Sequence, residues 1–208
     1  MKKILITGAG GIGGVNFVRA LKIFKDKFFI VGLDFNKYYL EFPDVDVRVN
    51  SPRHSDPNFI KLIHELIKKY DIDFLHPHPS SEALVVSQNL DSITTKTLLP
   101  KPNIISTDKL KTQKILSDSG INVAQTKTFE NLDSIETRFK ELGDGPFWIR
   151  AKSGAGGNLS LLCSEPKEIE YWMKLWILRG KAHIDDFMLQ QFLPGRNIAW
   201  DSFWHEGK

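Results

Sequence analysis

The sequence predicts an α/β chain in two parts, a parallel-sheet domain followed by an α+β domain. Three observations carry that expectation. A short β-branched run, Lys3–Thr7, ends in Gly8-Ala-Gly-Gly-Ile-Gly-Gly14 and passes into helical spacing at Val15, Val18 and Leu21. A second apolar run, Phe28–Leu33, ends in an acid, Asp34. Much later, two strand-like runs, Phe147–Ala151 and Leu159–Cys163, flank a basic pair and a glycine-rich turn. Strand, glycine turn, helix and second strand is the order of a Rossmann-like domain.

Composition narrows the class. The chain has 208 residues, enough for one large domain or two small ones. Its 41% hydrophobic and 25% charged residues are those of a globular protein. A net charge of +3, with no basic run interleaved with aromatics, argues against a nucleic-acid partner. The single cysteine, Cys163, excludes a disulfide framework and a cysteine-rich metal site. No stretch approaches the ~20 apolar residues of a membrane span. Met1-Lys2-Lys3 precedes an apolar run too short for a signal peptide, so a cytoplasmic location is expected, with no membrane partner.

In the first part, Gly8, Gly10 and Gly13 meet the G-x-G-x-x-G pattern between a strand and a helix, with Asp34 closing the next strand. A dinucleotide site would use them so, and tight helix–strand packing would use the same glycines without any nicotinamide. Pro57–Tyr70 has amphipathic helical spacing (Phe59, Ile60, Ile63, Leu66, Ile67), and Asp73–His76 is a short strand. His76-Pro-His-Pro79 follows at a strand's carboxyl end, where α/β sheets bind ligands. A rigid proline-braced loop is the plainer reading, because no third metal ligand is visible beside the two histidines. Ser80-Ser-Glu82 opens a helix over Ala83–Leu90 as an ordinary amino-terminal pattern with an early acid. Leu98-Leu-Pro-Lys-Pro102 punctuates the chain, which places a boundary near residue 104, between domains 1–104 and 105–208.

In the second part, Ser106–Lys111 starts a helix running to Asp118 and closed by Ser119-Gly120; Leu132–Leu142 is another. Lys167–Arg179, with Ile169, Trp172, Leu175 and Trp176 at helical spacing, reads as core. Ile198–Trp204 is strand-like. Between the two late strands, Arg150 and Lys152 lie two apart and so share a strand face. Gly154, Gly156 and Gly157 follow, and their backbone can approach a ligand closely. Such a hairpin suits nucleotide phosphates and is equally compatible with a solvated tip.

The order of these pieces resembles the ATP-grasp superfamily, particularly enzymes similar to the carbamoyl phosphate synthase large subunit and related carboxylate–amine ligases. The resemblance rests on a Rossmann-like leading domain, Asp108-Lys109 with a helix ending at Gly120-Ile121, Trp148-Ile-Arg150 with Gly154-Ala-Gly-Gly157, and Leu189-Gln-Gln-Phe-Leu-Pro-Gly195, and it covers nearly the whole chain. It implies a pre-ATP-grasp domain followed by the first part of an ATP-grasp domain. It also implies ATP and Mg²⁺ as cofactors, small-molecule carboxylate and amine substrates, and an acyl phosphate between them, and it leaves room for a homo-oligomer. By resemblance, Lys109 and Arg150 hold phosphates. Ser153, Gly154, Ala155, Gly156, Gly157 and Asn158 form a flap over them, expected to be mobile without nucleotide. Gln190, Gln191, Phe192 and Leu193 form the hinge segment beside adenine, with Leu193 against the ring. Gly8, Gly10, Gly11, Gly13 and Glu82 lie on the substrate side.

Two positions depart from the family's pattern. Asn197 stands where a carboxylate usually takes the ribose hydroxyls; its amide can accept a hydrogen bond without charge assistance. Ala151-Lys152 stands where many relatives have a proline. No residue reads as a general base or nucleophile. The family's magnesium ligands are expected on strands beyond Lys208, so the chain reads as the amino-terminal piece of a longer, active enzyme, binding ATP weakly and not turning it over. The rival readings are a non-catalytic nucleotide-binding module and an NAD(P)-dependent epimerase or reductase. The latter needs a Tyr-x-x-x-Lys pair, and Phe42, Phe74 and Leu175 stand where the lysine would follow Tyr38, Tyr70 and Tyr171. Titration with NADH and NADPH is therefore expected to give no saturable fluorescence change; micromolar binding of either would restore the dehydrogenase reading.

Overall fold

The computed structural model describes residues 1–24, 27–102, 105, 108–154, 157, 159–196 and 198. The chain divides into two compact units, Met1–Thr107 and Asp108–Lys208. In the first unit the elements run β1 (Lys2–Thr7), α1 (Ile12–Lys22), β2 (Phe28–Asp34), β3 (Val47–Asn50), α2 (Asn58–Tyr70), β4 (Phe74–Pro77) and α3 (Ser80–Gln88). The sheet order is β3-β2-β1-β4, with every pairing parallel. Leu5 stands in register with Val31 on one side and Leu75 on the other.

Near-continuous apolar strands arise because both faces of this sheet are covered. Side-chain alternation then sorts them. Leu5, Val31, Leu33 and Leu75 pack with Phe59, Ile63, Leu66 and Ile67 of α2 and Val86 of α3. Ile4, Ile6 and Ile30 form a separate cluster with Val18 of α1, Ala9 and Val45. α2 stops at Asp71, which is left-handed at φ 53° and returns its N–H to the Ile67 carbonyl.

In this unit one strand escapes the sequence reading. β3 has only four residues, and its valines are half-buried at the sheet edge. The alternation Val47-Arg-Val49-Asn50 was its only signal. Asp46 helps seat it by accepting the Ile30 N–H at 2.7 Å, and Arg48 Nε donates to the Leu40 carbonyl at 2.8 Å.

The second unit contains α4 (Lys109–Asp118), β5 (Thr126–Thr128), α5 (Ile135–Leu142), β6 (Phe147–Ala151), β7 (Leu161–Cys163), α6 (Pro166–Leu178) and β8 (Phe187–Gln191). Its sheet order is β5-β8-β6-β7, with every pairing antiparallel. β6 alternates: Phe147, Ile149 and Ala151 are buried, while Trp148 and Arg150 are half-buried. The buried set joins Phe187 and Leu189 of β8 and Ile169 and Met173 of α6 in one core. Trp172 and Trp176 pack against that core as expected, and Trp172 Nε1 donates to the Leu159 carbonyl at 3.1 Å.

Helix starts follow their caps. α4 begins at Lys109 because Asp108 accepts the Leu110 and Lys111 N–H groups at 2.8 and 3.1 Å. α6 starts at Pro166 behind a capping box between Glu165 and Glu168. The strand-like run expected over 198–204 lies outside the described residues except for Ile198. Among the described residues no helix is long and apolar enough to cross a membrane.

Phe187 is wholly buried whereas Leu193 is 63% exposed. Urea unfolding should accordingly show Phe187→Ala costing the second unit about 3–5 kcal/mol, and Leu193→Ala within about 0.5 kcal/mol of the parent.

Candidate functional site

Each unit gathers polar groups at the ends of its strands. In the second unit, the cations expected from the sequence come together through backbone hydrogen bonds. The Lys109 N–H donates to the Lys152 carbonyl at 2.8 Å, and the Lys152 N–H donates to the Asp186 carbonyl at 2.8 Å. Asp108 also pairs with Ser153 as an antiparallel bridge. The start of α4 is thereby pinned to the end of β6. Lys109 Nζ donates to the Gly154 carbonyl at 2.9 Å. The Arg150 charge thus acts on Lys109, which comes from another element.

Arg150 lies on the sheet face opposite the core, with Gln190 and Thr126 beside it on β8 and β5. Arg150 Nη1 donates to Gln190 Oε1 at 2.9 Å, and Gln190 Nε2 donates to Thr126 Oγ1 at 3.3 Å. Gln190 itself is buried. Arg150 Nε is buried without a hydrogen-bond partner among the described residues. The ammonium of Lys109 is pushed down from its usual range, first by partial burial and then by the Arg150 charge, with Asp108 opposing both. Two like charges held close by their scaffold attract an anion that neutralises both.

The remaining residues of the hinge segment are less enclosed. Gln191 pairs through its backbone with Gln125, its N–H donating to the Gln125 carbonyl at 2.8 Å. Phe192 is half-buried and Leu193 exposed, as are Ser153, Gly154 and Gly157 of the glycine hairpin. Ala155, Gly156, Asn158 and Asn197 lie outside the described residues, so the expected flap tip and ribose contact do too.

In the first unit the glycine turn is filled by the protein's own side chains. A Cβ on Gly10 would stand 2.5 Å from Tyr39 Cβ, and one on Gly13 would stand 1.9 Å from His78 Nε2. These glycines permit close packing. Gly8 and Gly11 belong to the same turn, the Gly11 N–H donating to the Gly8 carbonyl at 3.2 Å. Asp34 ties the turn to the next loop: Oδ2 accepts the Gly10 N–H at 3.1 Å and Oδ1 accepts the Asn36 N–H at 2.9 Å.

Glu82 departs from the sequence reading. The sequence marked it as an early acid of an ordinary amino-terminal pattern and, by resemblance, as a substrate-side residue, with nothing to say that it is buried. Instead α3 is preceded by Pro79 with no side-chain cap, and Glu82 is 5% exposed. Among the described residues neither Glu82 Oε2 nor the fully buried Thr7 Oγ1 has a hydrogen-bond partner of ordinary geometry beyond their own contact with each other. The Glu82 carboxyl is pushed up to about 7, chiefly by burial, with the Asp34 charge adding; the nearby Thr7 hydroxyl pulls the other way. Thr7 was not singled out from sequence, although a polar residue closing the apolar run Ile4–Ile6 was a usable signal. His76 stacks on Phe17 with centroids 4.0 Å apart, and His78 Nδ1 lies 3.4 Å from His76 Nε2. Burial pushes both imidazoles down. Among the described residues no three His, Cys, Asp or Glu side chains assemble as a metal site.

Raising the carboxyl of Glu82 from its ordinary 4.5 to about 7 makes stability pH-dependent. The folded chain keeps this proton while the unfolded chain loses it, so stability falls as pH rises from about 4.5 to 7 and stays lower above. Thermal and urea unfolding should show Glu82→Gln matching the parent near pH 4.5 and exceeding it at pH 8, by at most about 3 kcal/mol.

No family model and no curated protein matches the sequence. Solved structures do match its fold. N5-carboxyaminoimidazole synthetase from Staphylococcus aureus complexed with ADP aligns over 92% of this chain and 48% of its own, at 17% identity and TM-score 0.66. L-amino acid ligase from Bacillus licheniformis aligns over 94% and 45%, at 13% identity and TM-score 0.66. The biotin carboxylase domain dimer of Hydrogenobacter thermophilus 2-oxoglutarate carboxylase, in complex with MgADP, ADP and bicarbonate, aligns over 92% and 44%, at 16% identity and TM-score 0.64. The chain spans less than half the length of each of these proteins. What they share with it is a parallel-sheet unit followed by a second sheet, and the chain carries the fold of the amino-terminal portion of the ATP-grasp enzymes.

Proposed function

We propose that the chain supplies the substrate-side and nucleotide-holding parts of an ATP-dependent ligase that joins a small carboxylate to an amine. The observation that carries this reading is that Lys109, bonded to the Gly154 carbonyl, feels the charge of Arg150. Among the described residues Arg150 has no ion-pair partner, and its buried Nε has no acceptor. A phosphate group would satisfy that donor and relieve the Arg150 repulsion that adds to burial in lowering the Lys109 ammonium. The adenine nucleotides bound by two of the structural neighbours support the same ligand here.

In this reading Lys109 and Arg150 hold phosphate oxygens and Ser153, Gly154 and Gly157, with Ala155, Gly156 and Asn158, cover them. The main chain of Gln190 to Leu193 holds adenine, and Asn197 takes the ribose. Bound ATP supplies the phosphoryl group that activates the carboxylate as an acyl phosphate. The chain's own work is positioning and charge neutralisation: the Gln190 and Thr126 side chains orient the Arg150 guanidinium, and the α4 start holds Lys109 beside it. The described residues do not fit a Mg²⁺ site, so no role is assigned to a metal ligand of this chain. Gly8, Gly10, Gly11 and Gly13 act as packing elements of the substrate-side unit, because Tyr39 and His78 occupy the space a pyrophosphate would need.

Calorimetric titration with ADP tests the reading. Arg150→Ala should lose about 1.5–3 kcal/mol of binding free energy, or roughly tenfold to 150-fold in Kd. Absence of ADP binding by the parent chain, or equal binding by the variant, would overturn it.

A further inference from the structure

We infer that the first unit pairs with a second copy of this chain through the aromatic loop that follows β2, residues 35–44. That loop leaves Phe35 42%, Tyr38 71%, Tyr39 48% and Phe42 67% exposed, and Ile12, at the start of α1, is 86% exposed. At ~200 Å² for a whole aromatic side chain, the open fractions come to roughly 600 Å² of apolar surface. A monomer's largest apolar patch is typically about 300–600 Å², and patches of that size are often functional. The side chains adjoin one another. The Tyr39 and Phe42 rings lie with centroids 6.2 Å apart. Tyr39 also closes on the glycine turn that leads into Ile12, its Cβ 2.5 Å from where a Cβ on Gly10 would stand.

The loop is braced so that these rings stay outside. Leu40 is buried beneath it. Arg48 donates to the Leu40 and Pro43 carbonyls at 2.8 and 3.2 Å, and Asn50 Nδ2 donates to the Phe35 carbonyl at 3.0 Å. A surface fixed before docking loses little entropy when it docks. The rim selects the occupant. Arg53 lies over the Phe35 ring at 4.1 Å and Lys37 over the Tyr38 ring at 5.1 Å, while Glu41 and Asp44 are exposed on the same loop. Among the described residues none of these four charges forms an ion pair. A strongly acidic or basic partner would meet like charge at half of this rim. A copy related by a two-fold axis can instead set each sign against its opposite, which is what a self-complementary interface requires. With the rim added, the patch approaches the ~800 Å² per partner of a standard interface. The inference goes beyond the ligase reading and does not rest on it.

Sedimentation equilibrium of the full chain tests it. The parent should show a monomer–dimer equilibrium with a Kd of about 1–100 μM, as an interface of this size predicts. Tyr38→Ser and Phe42→Ser should each raise that Kd at least about tenfold. Leu178→Ser, which removes an equally open apolar side chain from the second unit, should leave it unchanged. Charge reversal separates specific pairing from general stickiness. A chain with Glu41→Lys and Asp44→Lys, and another with Lys37→Glu and Arg53→Glu, should each be monomeric alone and form a mixed dimer when combined. All of these side chains are exposed, and thermal unfolding checks that each variant is folded; should a charge variant not fold, Tyr38→Ser and Phe42→Ser decide. The inference fails if the parent stays monomeric up to about 500 μM, a concentration well above the Kd expected of such an area. It fails equally if the parent assembles without closing at a dimer, if Tyr38→Ser and Phe42→Ser dimerise like the parent, or if the two charge variants do not combine.

Discussion

The backbone hydrogen bond from Lys109 to Lys152 determines where the second unit keeps its charge. Without it, α4 would be a surface helix that buries none of its residues, and its first lysine would be one solvated cation among many. Pinned to the end of β6, the helix start delivers an ammonium to the strand that carries Arg150. A main-chain contact of this kind costs no side-chain entropy and is insensitive to salt, so the two cations stay close although they repel. The Arg150–Gln190–Thr126 chain then aligns the guanidinium across three strands. Gln190 is neutral, so it orients Arg150 without cancelling its charge.

The two units have opposite electrostatic character at their strand ends. The second brings two cations together beside a glycine hairpin. The first buries two carboxylates under a glycine turn, and the one that accepts no backbone N–H among the described residues, Glu82, retains its proton up to near neutrality. These are different solutions to the same cost, that of removing charge from water. Arg150 keeps its charge by remaining half-exposed and bonding to an amide. Glu82 gives its charge up because burial is nearly complete and its nearest ionised neighbour has the same sign.

Glycine does different work in the two turns. At Gly10 and Gly13 the missing Cβ is replaced by Tyr39 and by the His78 ring, so the pattern associated with dinucleotide binding serves the packing of one loop on another. Asp34, the acid that would face a ribose in a dinucleotide site, is committed to backbone N–H groups of the same loops. Among the described residues the hairpin glycines Gly154 and Gly157 have no neighbour within 4 Å of a would-be Cβ, as at the exposed turn glycines Gly120, Gly143 and Gly180.

Much was legible from the chain alone, because strong local signals and tertiary packing agreed. The apolar runs of β1 and β2, the spacing of Phe59, Ile63, Leu66 and Ile67, and the alternation through Phe147, Ile149 and Ala151 each name their own buried face. The same local rules left β3 unread, since four residues at an edge carry too little hydrophobic contrast. Sequence order also placed Lys109, Arg150 and Gln190 on one list, through resemblance. That Lys109 is brought to the end of the strand that carries Arg150, and that Gln190 turns its amide to Arg150, depends on strand register and on one long-range backbone contact. Glu82 is the clearest case. Its place in the first turn of a helix is a local property, and an acid there is ordinarily solvated. Only the assembly of β1, β2 and α3 buries it beside Thr7 and Asp34, because burial belongs to the packed structure and to no segment of the sequence.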